Sequence, residues 1–344
     1  MELKSTHKLD QFAGIDNVNL LTDMEQVNDQ GHKYYFASAV NFDLTNKRDM
    51  RRRDGYRLLH DFGLPDVHSI WSFKDDCFFM VGDSLYRLNS NLTYTLLLGG
   101  FGISPMNYAE VYGKYYFTNT TEIGRIDSNG ISAIPSPTDN FKVKMPAGHL
   151  MEWYNQCLYI AVGNIIYCSD PTFPGQYDYR HGLLPFNSRI TMLKAVTDGL
   201  WVSDSENIYF LGGDTVLNFS TSHKQKVPVI ERSAAVIDGR YLGTDSVGKS
   251  VLMLTTAGIC IGSSGGNFLV PTADRYHGSK YFVAYDASVR ISQDRYQYLV
   301  MGYDYQSGAA MDILAGFQVP SLSSEMNHRM SLPLLQVQFT ATFT

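Results

Sequence analysis

MEWYNQCLYIAVGNIIYCSDPTFPGQYDYRHGLLPFNSRITMLKAVTDGLWVSDSENIYFL, residues 151–211, states one short phrase twice, WYNQCLYIAVGNIIYC at 153–168 and VTDGLWVSDSENIYFL at 196–211. Each copy is an apolar residue, a polar turn (Asn155 and Gln156, Asp198 and Gly199), an apolar and aromatic triplet, a second turn, then Ile-Tyr. Alternation at period two, punctuated by Asn, Asp and Gly, is the pattern of short antiparallel hairpins. The phrase occurs earlier as FKDDCFFMVGDSLYRL at 73–88 and VYGKYYFTNTTEIGRI at 111–126, so successive copies start 38, 42 and 43 residues apart. Strand and turn signals repeating at that period imply an all-β fold, a β-propeller with one blade per repeat.

Working outward, residues 67–98, 105–135, 148–180 and 188–218 read as four blades and 234–271 as a fifth. Strands within 281–318 supply most of a sixth. A hairpin with Phe36 to Phe42 as one strand and Tyr56 to Leu59 as the other is expected to complete it, joining the two ends of the chain. The reading is six blades, with five as the alternative: an arm over 1–33, the propeller over 34–318 and a C-terminal extension over 319–344. The arm either docks on something, such as a neighbouring copy, or is a disordered terminus. The turn-rich inserts Pro171–Gly175 and Arg180–Gly182 should form a loop on one face.

Composition fits this class. The 23 tyrosines and 19 phenylalanines suit strands better than helices. A net charge of −6 and a pI near 5.8 argue against a dedicated nucleic-acid binder, leaving brief contact with DNA open. The four cysteines (Cys77, Cys157, Cys168, Cys260) include no C-x-x-C pair. Cys77 and Cys157, at the same position of their phrases, read as buried hydrophobes, and a disulfide or zinc set is not expected. No charged-then-apolar leader opens the chain and no apolar run approaches the ~18 residues of a membrane span, so a soluble protein of a reducing compartment is expected, with no membrane contact.

Six basic residues, Lys47, Arg48, Arg51, Arg52, Arg53 and Arg57, fall within eleven positions. They are a candidate contact for DNA or an acidic partner, the alternative being a solvated turn paired with Asp49 and Asp54. GTDSVGKS at 243–250 matches the P-loop pattern, but a β-rich stretch follows it where phosphate binding needs a helix, so it reads as a hairpin loop. Asp75 and Asp76 occupy a turn position of the repeat and read as turn formers rather than a catalytic pair. The nine histidines form no metal-ligand pattern. No catalytic residue, metal ligand or cofactor site is expected. At the end of the chain Leu335, Val337, Phe339, Ala341 and Phe343 alternate with Gln and Thr. That is a strand with one buried face, expected to add to a neighbouring subunit's sheet, the competing placement being an extra strand on its own propeller.

One set of phrases, in order, carries a resemblance: FAGIDN at 12–17, AVNFD at 39–43, RRDGY at 52–56, LYIAVGNIIYCSDP at 158–171, PFNSRIT at 185–191, DGLWV at 198–202 and TTAGICIG at 255–262. Together they resemble the virion propeller proteins of tailed bacteriophages, the neck and tail-hub or nozzle class that includes packaged-DNA stabilisation proteins. The resemblance covers roughly residues 12–305 and leaves out the tail. It implies a homo-oligomeric ring, commonly a hexamer, around the channel through which DNA leaves the capsid. It implies contacts with other neck and tail proteins and transient contact with genomic DNA. Its place would be the virion, after assembly in the host bacterial cytoplasm, and it brings no catalytic residues. Two other readings stand beside it: a propeller glycosidase or depolymerase, which needs two carboxylates ~5–10 Å apart across a groove, and a receptor-binding propeller at a tail tip.

Overall fold

The computed structural model describes residues 12–20, 25–28, 31–36, 42–44, 50–52, 61, 63–64, 66–127, 130–171, 173–242, 248–292, 295–317 and 336–341. Over these residues the protein is all-β, its helical content limited to two short 3-10 turns. It divides into two compact units, one formed by 1–55 with 225–344 and the other by 56–224.

At the N-terminus β1 (Phe12–Ile15) runs parallel to β3 (Gly31–Phe36), which pairs on its other side with β2 (Glu25–Asn28). β4 (Phe42–Leu44) and β5 (Met50–Arg52) form a separate two-stranded ribbon.

The 56–224 unit holds four sheets of four strands. The first is β6 (Val67–Phe73), β7 (Asp76–Val81), β8 (Ser84–Leu88) and β9 (Tyr94–Leu98), and the second is β10 (Asn107–Val111), β11 (Lys114–Thr118), β12 (Ile123–Asp127) and β13 (Gly130–Ser132). After β14 (Lys142–Lys144) comes the third sheet, β15 (Leu150–Tyr154), β16 (Cys157–Val162), β17 (Ile165–Cys168) and, past the inserted β18 (Gln176–Asp178), β19 (Leu183–Pro185). The fourth is β20 (Ile190–Val196), β21 (Gly199–Asp204), β22 (Ile208–Gly212) and β23 (Ser220–Gln225). Every one is an up-and-down antiparallel meander, the topology of a propeller blade, as the repeat implied.

The tight turns fall on the repeated polar pairs or one residue before them, as at Thr197 and Asp198, where Gly199 already opens the next strand. Tyr154 pairs with Cys157 across Asn155 and Gln156, whose φ values are +40° and +66°; Val111 pairs with Lys114 across Tyr112 and Gly113, at +53° and +78°. Positive φ at both central residues is the hairpin turn whose twist matches the flanking strands. Alternation then sorts side chains between neighbouring sheets. On β16, Leu158 and Ile160 pack with Val111, Tyr116 and Met151 in one core, while Tyr159 and Ala161 pack with Leu193, Leu200 and Val202 in the next. The first two sheets share a third core, with Phe78, Met80 and Leu85 against Tyr108, Phe117 and Ile126.

The other unit contributes two more four-stranded sheets. The fifth is β24 (Ala235–Asp238), β25 (Lys249–Thr255), β26 (Gly258–Ser263) and β27 (Phe268–Leu269); the sixth is β28 (Phe282–Ser292), β29 (Arg295–Asp304), β30 (Ala309–Phe317) and β31 (Gln336–Ala341). Leu252, Leu254 and Ile261 meet Phe282, Tyr298, Val300 and Ile313 between them.

One expectation is corrected here. The sixth sheet is completed by β31, which pairs antiparallel with β30 from Met311↔Ala341 to Gly316↔Gln336, and not by a hairpin from the N-terminal side. Within this single chain the strand holding Val337, Phe339 and Ala341 thus takes the competing placement named for it, on its own sheet. The physical reason is the length of β30, nine residues, which offers a full row of backbone donors and acceptors that the three-residue β4 and β5 cannot satisfy. Within the hairpin itself the return strand is Met50–Arg52; Tyr56 to Leu59, Leu335 and Phe343 lie outside the described residues.

Candidate functional site

The N-terminal segment is tied into its own unit. Asp16 is fully buried, and its carboxylate pairs with the Arg275 guanidinium. It also accepts hydrogen bonds from the Asn19 amide (2.9 Å), the Asn19 side chain (2.9 Å) and the Val18 amide (3.1 Å). Asn17 exchanges side-chain hydrogen bonds with the His277 backbone at 3.0 and 2.9 Å, and Arg275 lies 4.3 Å above the Tyr35 ring. Burial works to raise the Asp16 pKa, but the hydrogen bonds from Asn19, Arg275 and Val18 outweigh it and hold the group below the ordinary aspartate value. The FAGIDN phrase thus has a defined task, fixing the arm on residues 274–277. The arm reaches its own chain, where the sequence left a neighbouring copy open.

Of the basic residues, Arg51 and Arg52 sit on β5 at register positions opposite Asp43 and Phe42, and the Arg52 side chain is exposed. Lys47, Arg48, Arg53 and Arg57 lie outside the described residues. In the P-loop-like segment Lys249 and Ser250 open β25, a strand, and 243–247 are not described. Asp75 stands in the β6–β7 turn, and Asp76 opens β7, where its carboxylate accepts from Arg87 and from the Tyr115 hydroxyl. Cys157, Cys168 and Cys260 are buried and unpaired by disulfide, and Cys77 is half-buried. Burial pushes the Cys260 thiol up to about 12. Among the described residues no group of three His, Cys, Asp or Glu side chains is placed to hold a metal ion, and no helix is long and apolar enough to cross a membrane.

The inserts form a ribbon that sequence reading missed in detail. β18 pairs with β14, and the Asp178 carboxylate receives Arg180 through both Nε (2.9 Å) and Nη2 (2.5 Å). Hydrogen bonding from Arg180 drives the Asp178 pKa far down, with burial opposing. Lys142 donates to Asp170 at 2.7 Å and is raised chiefly by that bond.

One end of the sixth sheet carries a group of exposed large apolar side chains. Val283 is 47% exposed and Tyr285 56%, while their neighbours Phe282 and Ala284 are buried. Val283 stands opposite Tyr303, and Met301, Tyr281 and Tyr305 extend the same hairpin as exposed groups. The Tyr303 and Tyr305 rings meet edge-on at 4.9 Å. Arg232 borders the face, donating from Nη1 to the Tyr285 carbonyl at 3.2 Å, its pKa pulled down by burial.

No protein-family model matches the chain, and no curated protein matches it. Among solved structures it is similar to the N-terminal domain of Nup159, with 10% identity and a TM-score of 0.48 over 82% of this chain and 90% of that one. It is also similar to the Pan2 WD40 domain of Neurospora crassa (14% identity, TM-score 0.43, 74% of this chain and 76% of that one). A third is YjhT (10% identity, TM-score 0.44, 80% of this chain and 99% of that one).

Proposed function

We propose that the protein is a structural component of a tailed-bacteriophage virion, a subunit of a neck or tail ring around the DNA exit channel, with the six four-stranded sheets as its blades. One observation carries the reading: an apolar, tyrosine-rich sheet face, Tyr281 to Tyr305, left exposed by its own chain. Exposed apolar faces of this kind mark protein–protein contact surfaces. The ordered run of phrases resembling virion propellers agrees with it. In this reading the work is assembly, DNA retention and DNA passage, done by burial and charge rather than by bond chemistry. Arg51, Arg52 and their basic neighbours face DNA or an acidic partner.

The test is direct. The purified chain should form a closed homo-oligomer, a hexamer in the simplest case, at micromolar concentration, and imaging of the particles should place it on the tail axis. A protein that stays monomeric and is missing from purified particles overturns the proposal. Replacing Arg51, Arg52 and Arg53 by Ser should leave the chain folded and lower genome retention, more so at high salt, where the remaining attraction is screened. Retention unchanged across salt would remove the basic stretch from the mechanism.

A further inference from the structure

Each four-stranded sheet ends on a last strand whose outer edge no described strand pairs with. Such an edge offers a row of backbone donors and acceptors to other chains. In the second, third and fifth sheets the last strand is short. Gly130–Ser132 and Leu183–Pro185 have three residues, the latter closing on a proline, and Phe268–Leu269 has two. In the fourth sheet Ser220–Gln225 is longer but polar throughout, and it carries His223 and Lys224. Short length, proline and charge are devices that keep sheet edges from pairing with other chains. β9, the last strand of the first sheet, has none of these three. It runs five residues, YTLLL, and the chain holds no charged residue from Leu88 to Ala109. Its one irregularity, a bulge between Leu96 and Leu98, leaves Tyr94 to Leu96 in regular register with β8.

The strand is held firmly from within. Leu97 packs against the core shared with the second sheet. The Asn89 side chain donates to the Thr93 and Thr95 hydroxyls at 2.9 and 3.3 Å, bracing the β8–β9 turn. Leu96 and Leu98, by contrast, are 55% and 48% exposed. A single exposed leucine is ordinary on a surface. Two of them on an open, uncharged edge form a surface that gives up no ionic solvation when it is covered. The lack of charge also narrows the occupant. A charged strand from another protein would find no counter-charge there. In a two-fold antiparallel pair the edge meets its own sequence, so each charge on it would face its own sign. β9 has no charge to oppose such a pair.

We propose that β9 pairs antiparallel with β9 of a second copy of this chain about a two-fold axis, joining the two first sheets into one continuous sheet. The contact is isologous and closes at the dimer, whereas a ring is built from heterologous contacts that repeat. It uses residues of the 56–224 unit and does not rest on the ring reading, which is carried by residues of the other unit.

The experiment is sedimentation equilibrium of the full chain carrying Val283→Asp and Tyr285→Asp, which removes the ring contact, with hydrogen exchange of the unaltered chain beside it. A monomer–dimer equilibrium with a Kd of about 10–300 µM is expected, the weak range that suits so short an edge. Leu96→Lys sets like charges against each other and should weaken the dimer at least about tenfold with the melting temperature kept. Leu96→Val, neutral and suited to a strand, should hold it within about threefold. In the unaltered chain the β9 amides should exchange more slowly at about 300 µM than at about 5 µM. Four outcomes overturn the proposal. They are a monomer up to about 1 mM, a dimer indifferent to Leu96→Lys, β9 exchange independent of concentration, and growth beyond the dimer in the chain that lacks the ring contact. A dimer found where the unaltered chain forms no ring supports the edge pairing and counts against the ring reading alone.

Discussion

β21 and the start of β28 are written in the same apolar alphabet but end in different surroundings. Gly199–Asp204, GLWVSD, is buried at every position. Phe282 to Tyr285, FVAY, is as apolar in sequence, yet only Phe282 and Ala284 are covered, and Val283 and Tyr285 stand exposed. Strands covered on both faces read as continuous apolar runs, while strands covered on one face alternate with polar residues. At its Val283–Tyr285 end the sixth sheet is therefore apolar on a face left open there, while farther along β29 the consecutive residues Gln297 to Val300 are all buried. The fourth sheet is complete in itself, down to an outer strand, Ser220–Gln225, that is polar throughout. In the assembly reading proposed above, this open patch is where another molecule would sit.

The comparison breaks most easily at Leu200, which is fully buried between the third and fourth sheets. Leu200→Ala should cost about 2–5 kcal/mol, read from urea unfolding followed by Trp201 fluorescence. A loss below about 1 kcal/mol would mean that β21 is not packed on both faces. Tyr285→Ala, by contrast, should shift the stability of the monomer by no more than about 0.5 kcal/mol. The next largest effect lies in association. Val283→Asp combined with Tyr285→Asp should weaken self-assembly by about thirtyfold, near 2 kcal/mol, measured by mass photometry at graded concentrations. Unchanged assembly would clear the face of any contact role. A monomer destabilised by more than about 2 kcal/mol would show that its own chain covers the face after all.

How far this was legible in the sequence differs by element. The repeated phrase located the hairpins because its polar pairs, such as Asn155 and Gln156, are the residues that take positive φ in two-residue turns. The β14–β18 ribbon was invisible as strands: Lys142–Lys144 and Gln176–Asp178 are three residues each, too short to show a period. The alternation of 335–343 gave a strand, and Gln336–Ala341 form one. Alternation says nothing, however, about whose edge the strand joins, and β30 of the same chain holds it. The exposed face of the sixth sheet could not be read because Val283 and Tyr285 look like core. Asp16 is a like case: a buried carboxylate and a solvated one are the same letter until the fold brings Arg275, some 260 positions away, against it.

Asp16 sharpens the comparison by giving the unit of the sixth sheet an acid response of its own. Residues 274–277, which the arm grips, lead from β27 into β28, so loosening the grip acts on that unit first. The Asp16 pKa in the folded protein lies below its ordinary value of 3.8, the hydrogen bonds from Asn19, Arg275 and Val18 outweighing the upward push of burial. A carboxylate with a depressed folded pKa contributes stability that is fully present above the unfolded value and is lost as pH falls through the folded one. Asp16→Asn keeps an acceptor oxygen but removes the charge facing Arg275. It should cost about 1–3 kcal/mol at pH 7, the scale of a hydrogen bond to a charged group. Asp178 and Asp238 are also held low by arginine partners, so the wild type weakens in acid at several points. The informative quantity is the difference between wild type and Asp16→Asn. It should be constant from pH 7 to about pH 5 and shrink toward zero below the ordinary aspartate range, because protonation then removes from the wild type what the substitution removed from the variant. Hydrogen exchange at the β28–β29 amides, followed across that range, assigns the loss to this unit. A gap that persists undiminished at low pH would mean that the Asp16 latch holds by shape rather than by charge.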